Sequence, residues 1–107
     1  MSGSADEFDG FDWDAAKSEA TFAERGLDFE AAIHVFDGGY VEREDMRREY
    51  GERRYVVTGV VEEILVTVVW TPRGRARRII SACPASDRER REYREYREAV
   101  ERAKPNG

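Results

Sequence analysis

Lysine is nearly absent from this chain: Lys17 and Lys104 are the only two among eighteen basic residues, and the rest are arginine. Cysteine and histidine occur once each, as Cys83 and His34. A single thiol cannot close an internal disulfide, and one Cys with one distant His offers none of the ligand spacings of a metal site. There is no glycine-rich phosphate loop and no Ser/His pairing signal, which sets aside the usual nucleotide-cradling and acyl-transfer motifs. No apolar run approaches a membrane span and no early stretch resembles a signal peptide, so a cytoplasmic protein without metal or cofactor is the expectation. His34 lies within a helical pattern and reads as a structural or partly exposed residue rather than a catalytic one.

What is present is one modest core and an uneven distribution of charge. A chain of 107 residues with 40% apolar content fits one domain with one sheet and a few helices. The net charge of -5 conceals a polarity: residues 1–45 hold three cations and thirteen acids, whereas residues 46–107 hold fifteen cations and ten acids. A basic half can steer a polyanion even when the whole molecule is acidic. Arginine also presents a planar fork that matches phosphate in bidentate geometry.

The β-forming residues are concentrated in three runs, Tyr55–Val61, Ile64–Thr71 and Arg77–Ser81, with Tyr40–Glu44 as a short charged edge strand. Thr71-Pro-Arg-Gly is a clear turn signal; Glu62-Glu63 interrupts the first two runs as a tight hairpin without the usual Gly or Asn. Asp12 or Asp14 caps a first helix that Gly26 stops, with Ala16, Ala20, Ala23 and Phe22 as its apolar side. Asp28 caps a second helix carrying Phe29, Ala32, Ile33 and Phe36, and Asp37-Gly38-Gly39 ends it. Ser86-Asp-Arg-Glu89 is a capping box opening a last helix to about Ala103, with Tyr93 and Tyr96 on one face. The expected order is α-α-β-β-β-β-α, an α+β domain with a four-stranded antiparallel sheet. Residues 1–10 read as a flexible acidic leader, 11–104 as the single domain and 105–107 as a tail. Trp13 and Trp70 are core or interface anchors.

The arginines are the candidates for chemistry. Those of the last helix alternate with glutamates and read as a solvated face. Arg47, Arg48, Arg53, Arg54, Arg73, Arg75, Arg77 and Arg78 instead gather at the ends of adjacent strands. Guanidinium groups that converge there can hold a phosphodiester and stabilise the charge that develops when an oxygen attacks phosphorus. A plain arginine-rich RNA-binding domain, or a merely soluble surface, fits the same pattern.

Four stretches resemble one family in register. They are Phe11-Asp-Trp-Asp-x-x-Lys17; Gly26-Leu-Asp-Phe-Glu-Ala-Ala32 with Val35-Phe36-Asp37; Asp45-x-Arg47-x-x-Tyr50-Gly51-Glu52-x-Arg54-Tyr55; and Thr71-Pro-Arg-Gly74 leading to Arg78-Ile-Ile-Ser81. Together they are similar to the BrnT toxins of bacterial type II toxin-antitoxin systems, over roughly residues 11 to 93. The resemblance implies a RelE-like fold and a metal-independent endoribonuclease that cleaves RNA to inhibit translation. A BrnA-like antitoxin would neutralise it, operator DNA would be reached only through that antitoxin, and the complex leaves room for a toxin dimer.

Carried onto matching positions, the resemblance singles out Lys17, Arg47, Glu52, Arg54 and Arg78; the expected catalytic residues are Lys17, Arg25, Arg47, Glu52 and Arg78, and Arg54 joins Arg48, Arg73 and Arg77 of the strand-end cluster as RNA-binding residues. Arg47 and Arg78 would stabilise the phosphate, Lys17 would contact it or donate a proton, and Glu52 would act as base or orient Arg54. Two departures stand out. Arg25, in Glu24-Arg25-Gly26, replaces a titrating histidine of Lys-His-Gly, and Ser81-Ala-Cys-Pro-Ala85 replaces Ser-x-Arg-Lys-Ala. They keep open a second class of function, a catalytically silent toxin-fold module that binds an antitoxin and serves operon repression or acts as a decoy.

Overall fold

The computed structural model describes residues 8–47 and 49–104. The chain enters through a short strand, β1 (Gly10–Asp12), followed by helix α1 (Ala15–Arg25) and a single helical turn, α2 (Phe29–Ala32), that continues as 3-10 helix over Ile33–Asp37. Four longer strands follow, β2 (Tyr40–Glu44), β3 (Tyr55–Val61), β4 (Ile64–Arg73) and β5 (Ala76–Pro84), and helix α3 (Asp87–Ala103) closes the order. The α+β class and the antiparallel meander β2-β3-β4-β5 agree with expectation from the sequence.

The sheet as a whole does not. Among the described residues it has five strands in the order β1-β5-β4-β3-β2, and β1 runs parallel to β5, so the sheet is mixed rather than four-stranded and antiparallel, and the expected RelE-like topology is not matched exactly. Gly10-Phe-Asp12 has no β-forming run of its own; the open backbone edge of β5 supplies the template. Asp9 N–H donates to the Arg75 carbonyl (2.9 Å) and the Phe8 ring meets Trp70 edge-on at 5.1 Å, so residues 8–10 pack on the domain rather than forming part of a free leader. Residues 1–7 and the tail 105–107 lie outside the described residues.

The core forms where one face of the meander meets α2 and its 3-10 extension. Val57, Val66, Val68, Trp70, Ile79 and Ala82 face Phe29, Ala32 and Val35, all at most 2% exposed. Burying such side chains stabilises the fold by roughly 1.5–3 kcal/mol each for Val, Ile and Phe. Gly59 allows the close approach, because a Cβ there would stand 2.9 Å from a Val35 methyl and 3.3 Å from its carbonyl.

Helix α1 packs by the opposite side from the one expected. Ala16, Ala20, Ala23 and Phe22 are exposed, and Ser18 and Thr21 are buried. The physical reason is hydrogen bonding: Ser18 Oγ accepts from Phe29 N–H (2.9 Å), one of the donors left open at the start of α2, and Thr21 Oγ1 donates to the Lys17 carbonyl (2.9 Å). Asp14, not Asp12, caps the helix, and Gly26 ends it in the left-handed region at φ 72°.

Helix α3 lies on the other face of the sheet. Both halves of the capping box form, and Glu89 Oε1, which accepts from Ser86 N–H, also accepts from the Thr67 hydroxyl (2.9 Å), tying the first turn of α3 to β4. None of its residues is fully buried, Tyr93 and Tyr96 included. Among the described residues no helix is long and apolar enough to cross a membrane.

Candidate active site

The position of the site is set by an irregularity in β5. Val69 pairs with Ser81 but Trp70 pairs with Ile79, so Ile80 is an extra residue and the strand is bulged there. A bulge reverses which alternate residues face the core. Ala82 on one side of it and Ile79 on the other are therefore both buried in the core, Arg77 turns inward with Ile79, and Arg78 turns out.

Arg78 lines a cleft of about 240 Å³ shared with Asp14, Lys17, Glu52, Arg54, Thr71, Arg73, Ile79 and Ile80. These residues come from four separate parts of the chain. The first turn of α1 and its cap supply Lys17 and Asp14, the end of β4 supplies Thr71 and Arg73, β5 supplies Arg78, and the β2–β3 loop supplies Glu52 and Arg54. Four cations face two carboxylates across it. Arg54 Nε donates to Glu52 Oε2 (3.0 Å) and its guanidinium lies over the Tyr50 ring at 4.1 Å. Arg78 Nη1 donates to Asp12 Oδ2 at 2.6 Å. Lys17 and Arg73 have no carboxylate within ion-pair distance among the described residues.

The β2–β3 loop is held over the cleft from beneath. Asp45 N–H donates to the Arg54 carbonyl and Thr71 Oγ1 to the Arg53 carbonyl, both at 2.7 Å, and Gly51 makes the turn at φ 75°. Asp45 is enclosed and accepts from Arg47 Nε and Nη2 (both 2.8 Å) and from the Tyr50 hydroxyl (3.1 Å). The Arg47 hydrogen bonds hold the Asp45 carboxyl well below the usual carboxylate range, and Asp45 in turn raises Arg47. A larger hollow of about 680 Å³ opens beside this loop, where among the described residues Glu44, Asp45, Glu49 and Glu52 line it with Arg53.

Of the residues singled out from sequence, Lys17, Glu52, Arg54, Arg73 and Arg78 come together. Arg47 does not join them, because it is the clasp on Asp45. Nor does Arg77, which is 6% exposed with its guanidinium 4.2 Å from the Phe36 ring, 5.0 Å from Trp70 and 5.3 Å from Phe8. It is part of the core and is not placed to grip RNA. Arg25 is elsewhere, donating to the Ala82 carbonyl (3.0 Å) beside Cys83, whose thiol burial pushes up while Arg25 pulls it down. The two departures, at Arg25 and at Cys83-Pro84, are thus neighbours in space, away from the cleft lining. Arg48 lies outside the described residues.

Sequence reasoning missed Asp12 and Thr71. Asp12 belongs to the Phe11-Asp-Trp-Asp motif, but only its parallel pairing opposite Arg78 reveals its partner. Thr71 opens the Thr71-Pro-Arg-Gly74 stretch, but nothing there announces that its hydroxyl holds the Arg53 carbonyl.

Chemically the cleft offers guanidinium donors for a phosphate, an ammonium group able to give up a proton and a carboxylate able to take one. The same stretch of chain matches a family model described as the BrnT ribonuclease toxin of type II toxin-antitoxin systems, over residues 13–89. The chain belongs to that family. Membership implies an antitoxin partner and an RNA target. No curated protein matches the sequence.

Proposed function

We propose that this protein is a metal-independent endoribonuclease toxin acting in the cytoplasm, and that the cleft between α1, β4, β5 and the β2–β3 loop is its active site. The observation that carries this reading is the convergence of Lys17, Glu52, Arg54, Arg73 and Arg78 from distant parts of the chain on one open cleft. Arg78 and Arg73 hold the scissile phosphate and stabilise its added charge in the transition state. Glu52, whose Oε2 is engaged by Arg54, takes the proton of the ribose 2′-OH. The 2′-oxygen attacks phosphorus, the bond from phosphorus to the 5′-oxygen breaks, and Lys17 protonates the departing oxygen. The products are a 2′,3′-cyclic phosphate and a 5′-hydroxyl, and the need for a 2′-OH restricts the reaction to RNA. A BrnA-like antitoxin would silence the enzyme by covering this cleft and would carry any contact with operator DNA.

The test is cleavage of RNA by purified, antitoxin-free protein in excess chelator, with identification of the ends. Cyclic phosphate ends, no cleavage of a strand bearing 2′-deoxyribose at the scissile position, and losses of about 10²–10⁴-fold in Lys17→Met and Glu52→Gln are expected. Activity that vanishes with chelator, or that survives both substitutions, removes the mechanism. A second reading, a silent module that acts by binding its antitoxin, draws support from the pairing of Arg54 with Glu52 and Arg78 with Asp12. A folded chain that binds antitoxin and leaves all RNA intact decides for it.

A further inference from the structure

The first described residues run beside β5 and the turn that leads into it, and they meet Arg75 of that turn and Arg77 and Arg78 of the strand. Asp9 Oδ2 accepts from Arg75 Nε at 3.0 Å, the Phe8 ring stands 5.3 Å from the Arg77 guanidinium, and Asp12 Oδ2 accepts from Arg78 Nη1 at 2.6 Å. The parallel pairing of Gly10 with Ala76 and Asp12 with Arg78 sets this spacing. We propose that the segment Phe8–Asp12 is an internal strap whose two carboxylates occupy the places of RNA phosphates on Arg75 and Arg78 until an RNA strand displaces them. The proposal rests on the reading of the cleft as a phosphate site and adds a regulation of it.

The geometry divides the strap into an anchor and an exchangeable part. Phe8 packs against Trp70 and stays with the core, whereas Asp9 and Arg75 are about two-thirds exposed, at 67% and 68% of their side-chain surface. An exposed ion pair is held weakly and is screened by salt, so a dense row of phosphates competes well for the guanidinium. Arg78 is the inner member: it lines the cleft, and its carboxylate partner sits on the strap rather than on the scaffold. RNA that takes over Arg75 and then Arg78 would enter the cleft along β5.

The experiment uses the full chain carrying Asp9→Asn or Asp12→Asn and a fluorescent single-stranded 2′-O-methyl oligonucleotide, which binds but cannot be cleaved. Affinity is measured across a salt series. Each substitution should tighten binding about two- to five-fold, the range spanned by one exposed ion pair. The slope of log affinity against log salt should steepen by about 0.7 for each additional phosphate that the protein neutralises. Adding Arg75→Gln to Asp9→Asn should cancel the tightening. Affinity that is unchanged, weakened or undetectable in parent and variants alike overturns the strap. The Asp9 side chain is exposed, so Asp9→Asn leaves the fold intact and decides the matter even if Asp12→Asn disturbs β1. RNA cleavage is followed separately: tighter binding without cleavage supports the strap and removes the nuclease, and cleavage with unchanged binding does the reverse.

Discussion

Arg77→Met and Arg78→Met replace adjacent residues of β5 with the same side chain, and opposite outcomes are expected. For Arg77 two effects oppose each other. Its guanidinium is stacked among three aromatic rings, an interaction worth about 2 kcal/mol when desolvated. Against this, its Nε is buried with no hydrogen-bond partner among the described residues, which costs about 1–3 kcal/mol. Methionine removes both and keeps the unbranched stem in the aromatic cage, so stability should change by less than about 1 kcal/mol, a melting shift within about 4 °C for a domain of this size. Cleavage should be unaffected. Arg78→Met loses only a part-exposed ion pair with Asp12, about 0.2–1 kcal/mol of stability, but removes a donor from the phosphate site. The expected fall in kcat is about 10²–10³-fold, as for the loss of one oxyanion donor. Thermal melts by circular dichroism run beside steady-state RNA cleavage separate the two. If Arg77→Met loses activity tenfold while melting like the parent, or Arg78→Met keeps full activity, the assignment of faces on β5 is wrong.

Two further outcomes follow from the loops. Asp45→Asn should flatten the acid limb of the stability profile: the depressed carboxyl of Asp45 contributes in full above its unfolded value of about 3.9, and the contribution is lost as the pH falls through its lower folded value. Because Arg47 is solvent-exposed, the loss at neutral pH should be about 1 kcal/mol, read from urea melts at several pH values; an unaltered slope rejects the clasp. Glu62 and Glu63 sit at φ 50° and 71°, a left-handed pair that costs non-glycine residues roughly 1–2 kcal/mol each. Replacing Glu62-Glu63 with Asn-Gly should raise the denaturation midpoint by the equivalent of about 1 kcal/mol or more, and no rise would mean that the turn is not strained.

The parts of the fold that were legible beforehand are those governed by local chemistry. Ser86 with Glu89, Asp28 and Gly26 act at helix ends through their own backbone neighbours, and a reader of the chain sees both partners. The runs of β-branched residues through β3 and β4 work in the same way. Where the sequence misled, a distant partner decided. Ser18 and Thr21 are buried because Ser18 meets the start of α2 and the helix packs against β5, and an apolar periodicity argument passes over them. Strand β1 exists because β5 has an open edge, which three residues of Gly-Phe-Asp do not announce. In the candidate site, the cations were visible as a group from their spacing at strand ends. Which of them share the cleft was not, since Arg47 is claimed by Asp45 two residues away and Arg77 by three aromatic rings.

The sequence by itself determined the elements other than β1, the family and the inventory of charge, because caps, turns, β-forming runs and arginine content act over a few residues. Tertiary structure decided which charges meet. One extra residue in β5 turns Arg78 toward Lys17, Glu52, Arg54 and Arg73 and leaves Arg77 in the core. Period-two alternation carries no information about where such a residue is inserted; only pairing across the strands, with the packing of Ile79 and Ala82 on the same side, fixes it.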